Sequence, residues 1–381
     1  MARLAIIQRQ LSQVDEPVYA KMHALDGDAL AVVYWNDYGL VRRSNDPEIG
    51  LVPDLKDEFA GDYPRCWLDS RCHALGHVIA ELERHQPRLV LVSDLPQRDR
   101  LRLSVHLRTR GLRLAFRTDK NHLSETVSSG LRYALEKQVT RRAYDILAPA
   151  SPLTTAYYAW PAGRPVVPFP YTTNEEKFAP AAAERERRRE ATRRRLGVAP
   201  DAFTFLSVAK FAARENPFAV VKAFEEVVVE RPRARLVAVG DGPMLAEVKA
   251  YCAGKPALRD VVFPGFVPFR QLQDYMFAAD TFLHLAGIEP WGLSPQDALV
   301  AGLPIITSDR VGAGEVLLTG DLRRFMVAPS DTAATAERML ELSRGGGAAD
   351  VFAPASAAAQ DYTSMICARR WVDASRPGGV A

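Results

Sequence analysis

The sequence is poor in cysteine, lacks any long apolar run and carries almost no excess of either charge. Its four cysteines, Cys66, Cys72, Cys252 and Cys367, are scattered and contain no Cys-x-x-Cys pair. That spacing excludes a disulfide framework and fits a reducing compartment. No apolar run approaches the roughly 20 residues that span a bilayer. The opening Leu4-Ala5-Ile6-Ile7 is too short for the core of a signal peptide. The expectation is a cytoplasmic protein that is at most peripheral to a membrane. Net charge is only +3, from 49 basic and 46 acidic residues, so no nucleic acid or other polyanion is demanded as partner. Metal-ligand patterns are equally sparse. The sole Asp-x-Asp, Asp26-Gly27-Asp28, reads as a turn. His73 and His77 stand four residues apart on a helical pattern with no third ligand evident. No metal and no cofactor is expected.

What is present is an ordinary globular composition, 48% hydrophobic and 25% charged, over 381 residues. With domains of about 100 to 150 residues as the common size, that length predicts two. Strands are expected over Arg3–Ile7, Ala29–Tyr34, Leu89–Val92, Leu112–Phe116 and Asp145–Ala148. Helices are expected between Gln10 and Asp28 and over Leu75–His85, Gln97–Arg110 and Leu131–Arg142. Alternating strands and helices predict a parallel α/β sheet. A stretch dense in proline and aromatics, Tyr157 to Tyr171, reads as an irregular connection at a domain boundary. Glu184–Arg195 holds seven arginines and three glutamates. Because acids interleave and aromatics are missing, it reads as a solvated helix face laced with i, i+4 pairs.

The same rhythm then restarts. Strands are expected at Phe203–Val208, Arg235–Gly240, Val261–Phe263, Thr281–His284, Pro304–Ser308 and Phe325–Val327. Between them fall helices over Pro217–Glu230, up to Tyr251, over Arg270–Ala279 and over Ala333–Ser343. The stretch Glu289-Pro290-Trp291-Gly292-Leu293-Ser294-Pro295-Gln296-Asp297 stands out. Two carboxylates straddle a loop and a helix start, with Ser294 suited to the N-cap, Pro295 to the first helical position and Asp297 to the third residue of a capping box. Gly302 closes that helix. Free amides at a helix start beside a glycine suit a phosphorylated ligand.

Several motifs occur in a familiar order. They are Lys210 near a strand end, Val239-Gly240-Asp241-Gly242-Pro243, Phe263-Pro264-Gly265-Phe266-Val267, Tyr275 with Ala279-Asp280, Glu289-Pro290-Trp291-Gly292-Leu293, and Ala301-Gly302-Leu303-Pro304-Ile305-Ile306-Thr307-Ser308-Asp309. In these the chain resembles glycosyltransferase family 4, retaining enzymes of the GT-B fold. The resemblance implies two Rossmann-like doubly wound domains facing each other across a cleft. Residues 1–170 would form an acceptor-binding domain, to which a helix at about 360–381 crosses back, and residues 171–359 would bind the donor.

By position the resemblance implies further that Glu289 contacts sugar hydroxyls and that Gly292 and Leu293 offer backbone amides to the diphosphate. Asp297 stands in place of a ribose-binding glutamate, and Val267 at the backbone position beside the base. Lys210 would neutralise the departing diphosphate, so that Lys210 and Glu289 carry the catalytic roles. The chain departs from the family in three places. Asp297 is one methylene shorter than the usual glutamate. Glu215 falls where a phosphate-binding lysine is common, with Arg214 beside it as the substitute cation. At the end of the Leu112–Phe116 strand, where a histidine is usual, the chain has Arg117-Thr118-Asp119; Asp119 is the candidate acceptor contact and His122 lies just beyond.

The implied activity is retaining transfer of a sugar from a nucleoside diphosphate donor to a hydroxyl acceptor, without a metal. Two alternatives remain at this stage: other nucleotide-sugar chemistry on the same scaffold, such as epimerisation or non-glycosidic coupling, and non-catalytic binding of sugar nucleotides. A basic segment, Arg98, Arg100, Arg102, Arg108, Arg110, Arg113 and Arg117, reads either as a solvated face or as an attraction for an anionic acceptor or membrane surface.

Overall fold

The computed structural model describes residues 3–35, 61–68, 75–93, 95–124, 130–345 and 348–379, so His73 and Cys72 lie outside the described residues. It comprises two compact units, one running to Asn174 and resuming at Tyr362, the other spanning Glu175–Asp361. The first contains β1 (Leu4–Gln8), α1 (Glu16–Leu25), β2 (Leu30–Tyr34), β3 (Arg65–Trp67), α2 (Leu75–His85), β4 (Leu89–Ser93), α3 (Gln97–Thr109), β5 (Arg113–Thr118), α4 (Gly130–Ala143), β6 (Ile146–Pro149) and α5 (Pro152–Tyr158). The second contains α6 (Ala182–Arg195), β7 (Thr204–Val208), α7 (Pro217–Glu230), β8 (Arg235–Val239), α8 (Leu245–Ala253), β9 (Val262–Gly265), α9 (Phe269–Ala278), β10 (Thr281–His284), α10 (Leu293–Val300), β11 (Ile305–Ser308), α11 (Gly312–Leu317), β12 (Met326–Val327), α12 (Thr332–Arg344) and α13 (Ala348–Ala359). The chain then returns to the first unit as α14 (Ser364–Ser375).

Each unit holds one parallel six-stranded sheet, ordered β3-β2-β1-β4-β5-β6 in the first and β12-β11-β10-β7-β8-β9 in the second. Counted from its own first strand, each is the doubly wound 3-2-1-4-5-6 order. The central strands β1, β2 and β4 read as nearly unbroken apolar runs because both faces are covered. In β1, Leu4 and Ile6 join a core with Tyr19 of α1 and Trp371 of α14, while Ala5 and Ile7 point the other way, into a core with Val78 of α2 and Leu103 of α3. That alternation follows from the two-residue period of a strand. Trp371 also donates its indole N–H to Pro168 O at 3.0 Å and packs on Phe169, which seats α14 on the first unit.

Four elements escape the sequence reading. The three-residue β3 is too short to show a pattern. Helix α5 reaches into the stretch expected to be irregular, because Ser151 is extended and Pro152 takes the first helical turn. Helix α11 starts on Gly312, and α13 contains Pro354. Both begin or run on residues that normally argue against a helix.

The arginine-rich α6 corrects an expectation. One face is not solvated but packs on the end of α9. Arg189 donates to Phe277 O at 2.8 Å and Ala279 O at 3.0 Å, and Arg193 to Ala278 O at 2.9 Å. These are the last carbonyls of α9, which lack partners within their own helix. Both guanidinium groups also pair with Asp280, at 2.7 and 2.8 Å. Arg193 additionally donates to Pro200 O and Ala202 O, so it is buried yet fully used. Removing it leaves carbonyls and a carboxylate short of donors. Arg193→Ala is expected to lose roughly 3 kcal/mol of stability, whereas the exposed Arg194→Ala should melt within experimental error of the parent; thermal denaturation of the two variants side by side checks this.

Candidate functional site

In the second unit the strand order reverses between β7 and β10, the place where doubly wound sheets bind ligands. Two loops leave the carboxyl ends of these strands. The first, residues 209–216, carries Lys210, Arg214 and Glu215. It is held from one side by the loop after β8, where Phe211 N donates to Asp241 O at 3.0 Å and Met244 N to Phe211 O at 2.9 Å. Gly240 makes this approach possible. Its φ is +140°, and a Cβ there would sit 1.9 Å from Ala209 O. On the other side, Gly287 N donates to Arg214 O at 2.7 Å and Asn216 Nδ2 to Pro329 O at 2.7 Å.

The second loop follows β10 and leads into α10. Glu289 is fixed by its backbone to the chain around Val311, accepting from Gly312 N at 3.0 Å and donating to Arg310 O at 3.0 Å. Trp291 is buried, and its indole N–H donates to Gln296 Oε1 at 2.7 Å, which ties the loop to the helix it precedes. The N-cap of α10 is Gly292, at φ +96°, not Ser294. Glycine reaches this left-handed region without strain, so the chain turns into the helix two residues earlier than the capping signals suggest. Asp297 therefore falls in the second turn, where it is buried. No side chain accepts from the first-turn amides through the N-cap, since glycine has none.

Between the two loops lies a compact charged cluster. Arg214 Nη2 is 2.9 Å from Glu215 Oε1, and its Nη1 is 3.5 Å from Glu289 Oε2. Glu289 Oε1 also accepts from Trp291 N at 3.3 Å. Glu215 is buried and faces the buried His284 at the end of β10, with 3.7 Å between Oε2 and Nε2. That separation is too long for a hydrogen bond, and His284 Nε2 has no partner among the described residues. Burial, reinforced by Arg214, pushes the His284 imidazolium pKa down to about 4, so the ring is neutral at pH 7. Lys210, Glu215 and His284 line one small cavity of about 10 Å³, room for no more than a single water. Ligand atoms of Glu215, His284 and Glu289 lie within 4.8 Å of one another, near enough for a metal, but the Arg214 guanidinium already sits against both carboxylates.

Arg214 and Glu289 thus meet, and the loop that carries Glu289 leads through Gly292 and Leu293 into α10, while Lys210 lines the cavity on the Glu215 and His284 side. Val267 lies just past β9, whose Gly265 O accepts from Gly240 N at 3.0 Å. Asp119 belongs to the other unit, at the end of β5, and accepts from Tyr171 O–H at 2.9 Å. The sequence reading singled out neither His284 nor Trp291 as site residues. A histidine closing an otherwise apolar buried strand was the available signal.

Residues 188–357 match the family model "Glycosyl transferases group 1". The alpha-monoglucosyldiacylglycerol synthase of Streptococcus pneumoniae is 32% identical over 114 residues, which are 30% of this chain and 26% of that protein. The synthase of the same name from Acholeplasma laidlawii is 32% identical over 117 residues, 31% of this chain and 29% of that one. The chain therefore spans under a third of the length of these relatives. Among solved structures, Anabaena HepE in complex with UDP and glucose superposes with a TM-score of 0.71 at 15% identity, covering 96% of this chain and 97% of that one. Sucrose-phosphate synthase from Thermosynechococcus elongatus gives 0.64 at 17%, covering 96% and 97%. The fold is that of the GT-B glycosyltransferases, two parallel doubly wound sheets.

The depressed imidazole gives a pH signature. The unfolded chain protonates His284 near pH 6.5 and the folded chain only near about 4. Stability from this group is complete above pH 6.5 and falls as pH drops through that window. His284→Leu should remove about 3 kcal/mol of the acid-side loss, read as a smaller difference between urea midpoints at neutral pH and near pH 4.

Proposed function

We propose that the chain is a retaining glycosyltransferase that moves a sugar from a nucleoside diphosphate donor to a hydroxyl acceptor. The observation that carries this reading is the Arg214 guanidinium held between Glu215 and Glu289 beside the glycine-started α10. A cation and the start of a helix capped only by glycine suit a diphosphate, and the match of residues 188–357 to the group 1 model supports the same class.

In this reading the diphosphate lies over the start of α10, with the amides around Gly292 and Leu293 and the side chains of Lys210 and Arg214 facing its oxygens. Breaking the anomeric C–O bond builds negative charge on the departing diphosphate. Fixed cations and a helix N-terminus lower the barrier because that charge is larger in the transition state than in the bound donor. Glu289, held by Trp291 N and by its own backbone, orients the sugar hydroxyls. Asp297 takes the ribose hydroxyls and the Val267 backbone lies beside the base. Glu215 no longer opposes the donor, since its charge is met by Arg214 inside the fold. The first unit receives the acceptor, with Asp119 at its β5 edge.

No metal enters this scheme, because Arg214 and Lys210 supply the positive charge. Lys210→Ala is expected to slow transfer by roughly 100- to 1000-fold, with donor affinity changing far less; steady-state rates with a responsive donor measure both. Addition of a chelator should leave the rate unchanged, and a reversible loss would overturn the metal-free scheme. A thermal-shift screen across uridine, guanosine, adenosine and thymidine diphosphate sugars identifies the donor. If none of them raises the melting temperature, the reading fails.

A further inference from the structure

A second feature lies on the first unit and plays no part in the donor site. Eleven large apolar side chains are exposed among the described residues, and five of them sit on α3 and α4, which pack side by side. On α4, Leu131, Leu135 and Val139 are 77%, 54% and 44% exposed and recur every four residues, so they form one stripe along the helix. On α3, Leu101 and Val105 are exposed while Leu103 and Leu107 hold the helix to its sheet. Leu101 and Val139 line one shallow groove, which makes the two stripes a continuous apolar face.

Arginines frame that face. Arg98 and Arg102 on α3 and Arg142 on α4 are exposed and make no ion pair with any described residue. Other arginines of the basic segment are already engaged within the first unit. Arg117 is buried against Asp15 at 2.6 Å, Arg100 covers the Phe116 ring, and Arg108 pairs with Asp145 at 2.8 Å. The nearby acids offset little, because Glu136 is tied to Lys120 at 2.7 Å, leaving Asp99 in the first turn of α3. The patch is therefore apolar at its centre and cationic at its edge.

We infer that the α3–α4 face docks on an anionic lipid bilayer. Leucine and valine side chains enter the acyl boundary, and the guanidinium groups take headgroup phosphates. A nucleic acid would use the arginines but leave the leucines exposed, and a neutral apolar partner would leave the arginines unmatched. The inference is independent of the transferase reading, since it concerns binding alone. If both hold, the acceptor is one presented at a membrane surface.

Co-sedimentation of the full chain with phosphatidylcholine vesicles, with and without phosphatidylglycerol, tests it. Binding is expected only to the anionic vesicles and should weaken as salt is raised. The triple variant R98A/R102A/R142A should bind roughly 100-fold less, and L131S/L135S should likewise lose binding while keeping the circular dichroism and melting temperature of the parent. Absence of binding to anionic vesicles at low salt, or undiminished binding by L131S/L135S, overturns the proposal. So does a parent dimer in gel filtration that L131S/L135S converts to monomer without any vesicle binding, because the face would then join two copies of the chain.

Discussion

The second unit is arranged around one electrostatic demand, the burial of the Glu215 carboxylate. A carboxylate taken out of water needs a cation and fixed donors, or it destabilises the fold by several kcal/mol. Arg214 meets that demand from the adjacent position. Doing so aims the guanidinium back toward the β7–β10 switch point, where its other nitrogen reaches Glu289. Glu215, which stands where a cation was expected, thereby anchors and orients the neighbouring Arg214. His284 occupies the remaining side of Glu215 as a neutral ring, kept so by burial and by the same arginine.

This arrangement is held by backbone and by close approach rather than by long side chains. Gly240 lets the chain around Ala209 lie against the end of β8, and Asn216, with its left-handed backbone, stitches the other end of that loop to Leu285 and Pro329. Trp291 and Gln296 lock the incoming loop to α10. A binding constellation is useful to the degree that its members do not have to be ordered by the ligand, and here the ordering is already done by the fold.

The first unit spends its polar groups differently. Gln8, Asp15 and Arg117 form a buried chain at the carboxyl edge of β1 and β5, with the Arg117 guanidinium over the Phe169 ring. Its outer helices α3 and α4, by contrast, leave leucines and arginines facing solvent. Core and surface thus carry opposite uses of the same residue types, and only burial separates them.

Much of this was legible in the chain. Parallel strands buried on both faces are continuous apolar runs, so their positions and the helices between them read off directly, and the ordered motifs from Lys210 to Asp309 marked the second unit. Short or proline-containing elements such as β3 and α13 carry no such periodicity. Ser294, Pro295 and Asp297 form a good capping signal, yet Gly292 starts the helix, because a left-handed glycine backbone outranks side-chain capping when the loop must turn sharply. The arginines of α6 looked solvated, since composition cannot tell which face meets the carbonyl ends of another helix. The sequence by itself determined the doubly wound plan and marked the loop from Glu289 into α10. Tertiary structure alone decided which charges are buried together, because the pairing of Arg214 with Glu289, and the facing of Glu215 and His284, join positions far apart in the chain that only the parallel sheet brings to one edge.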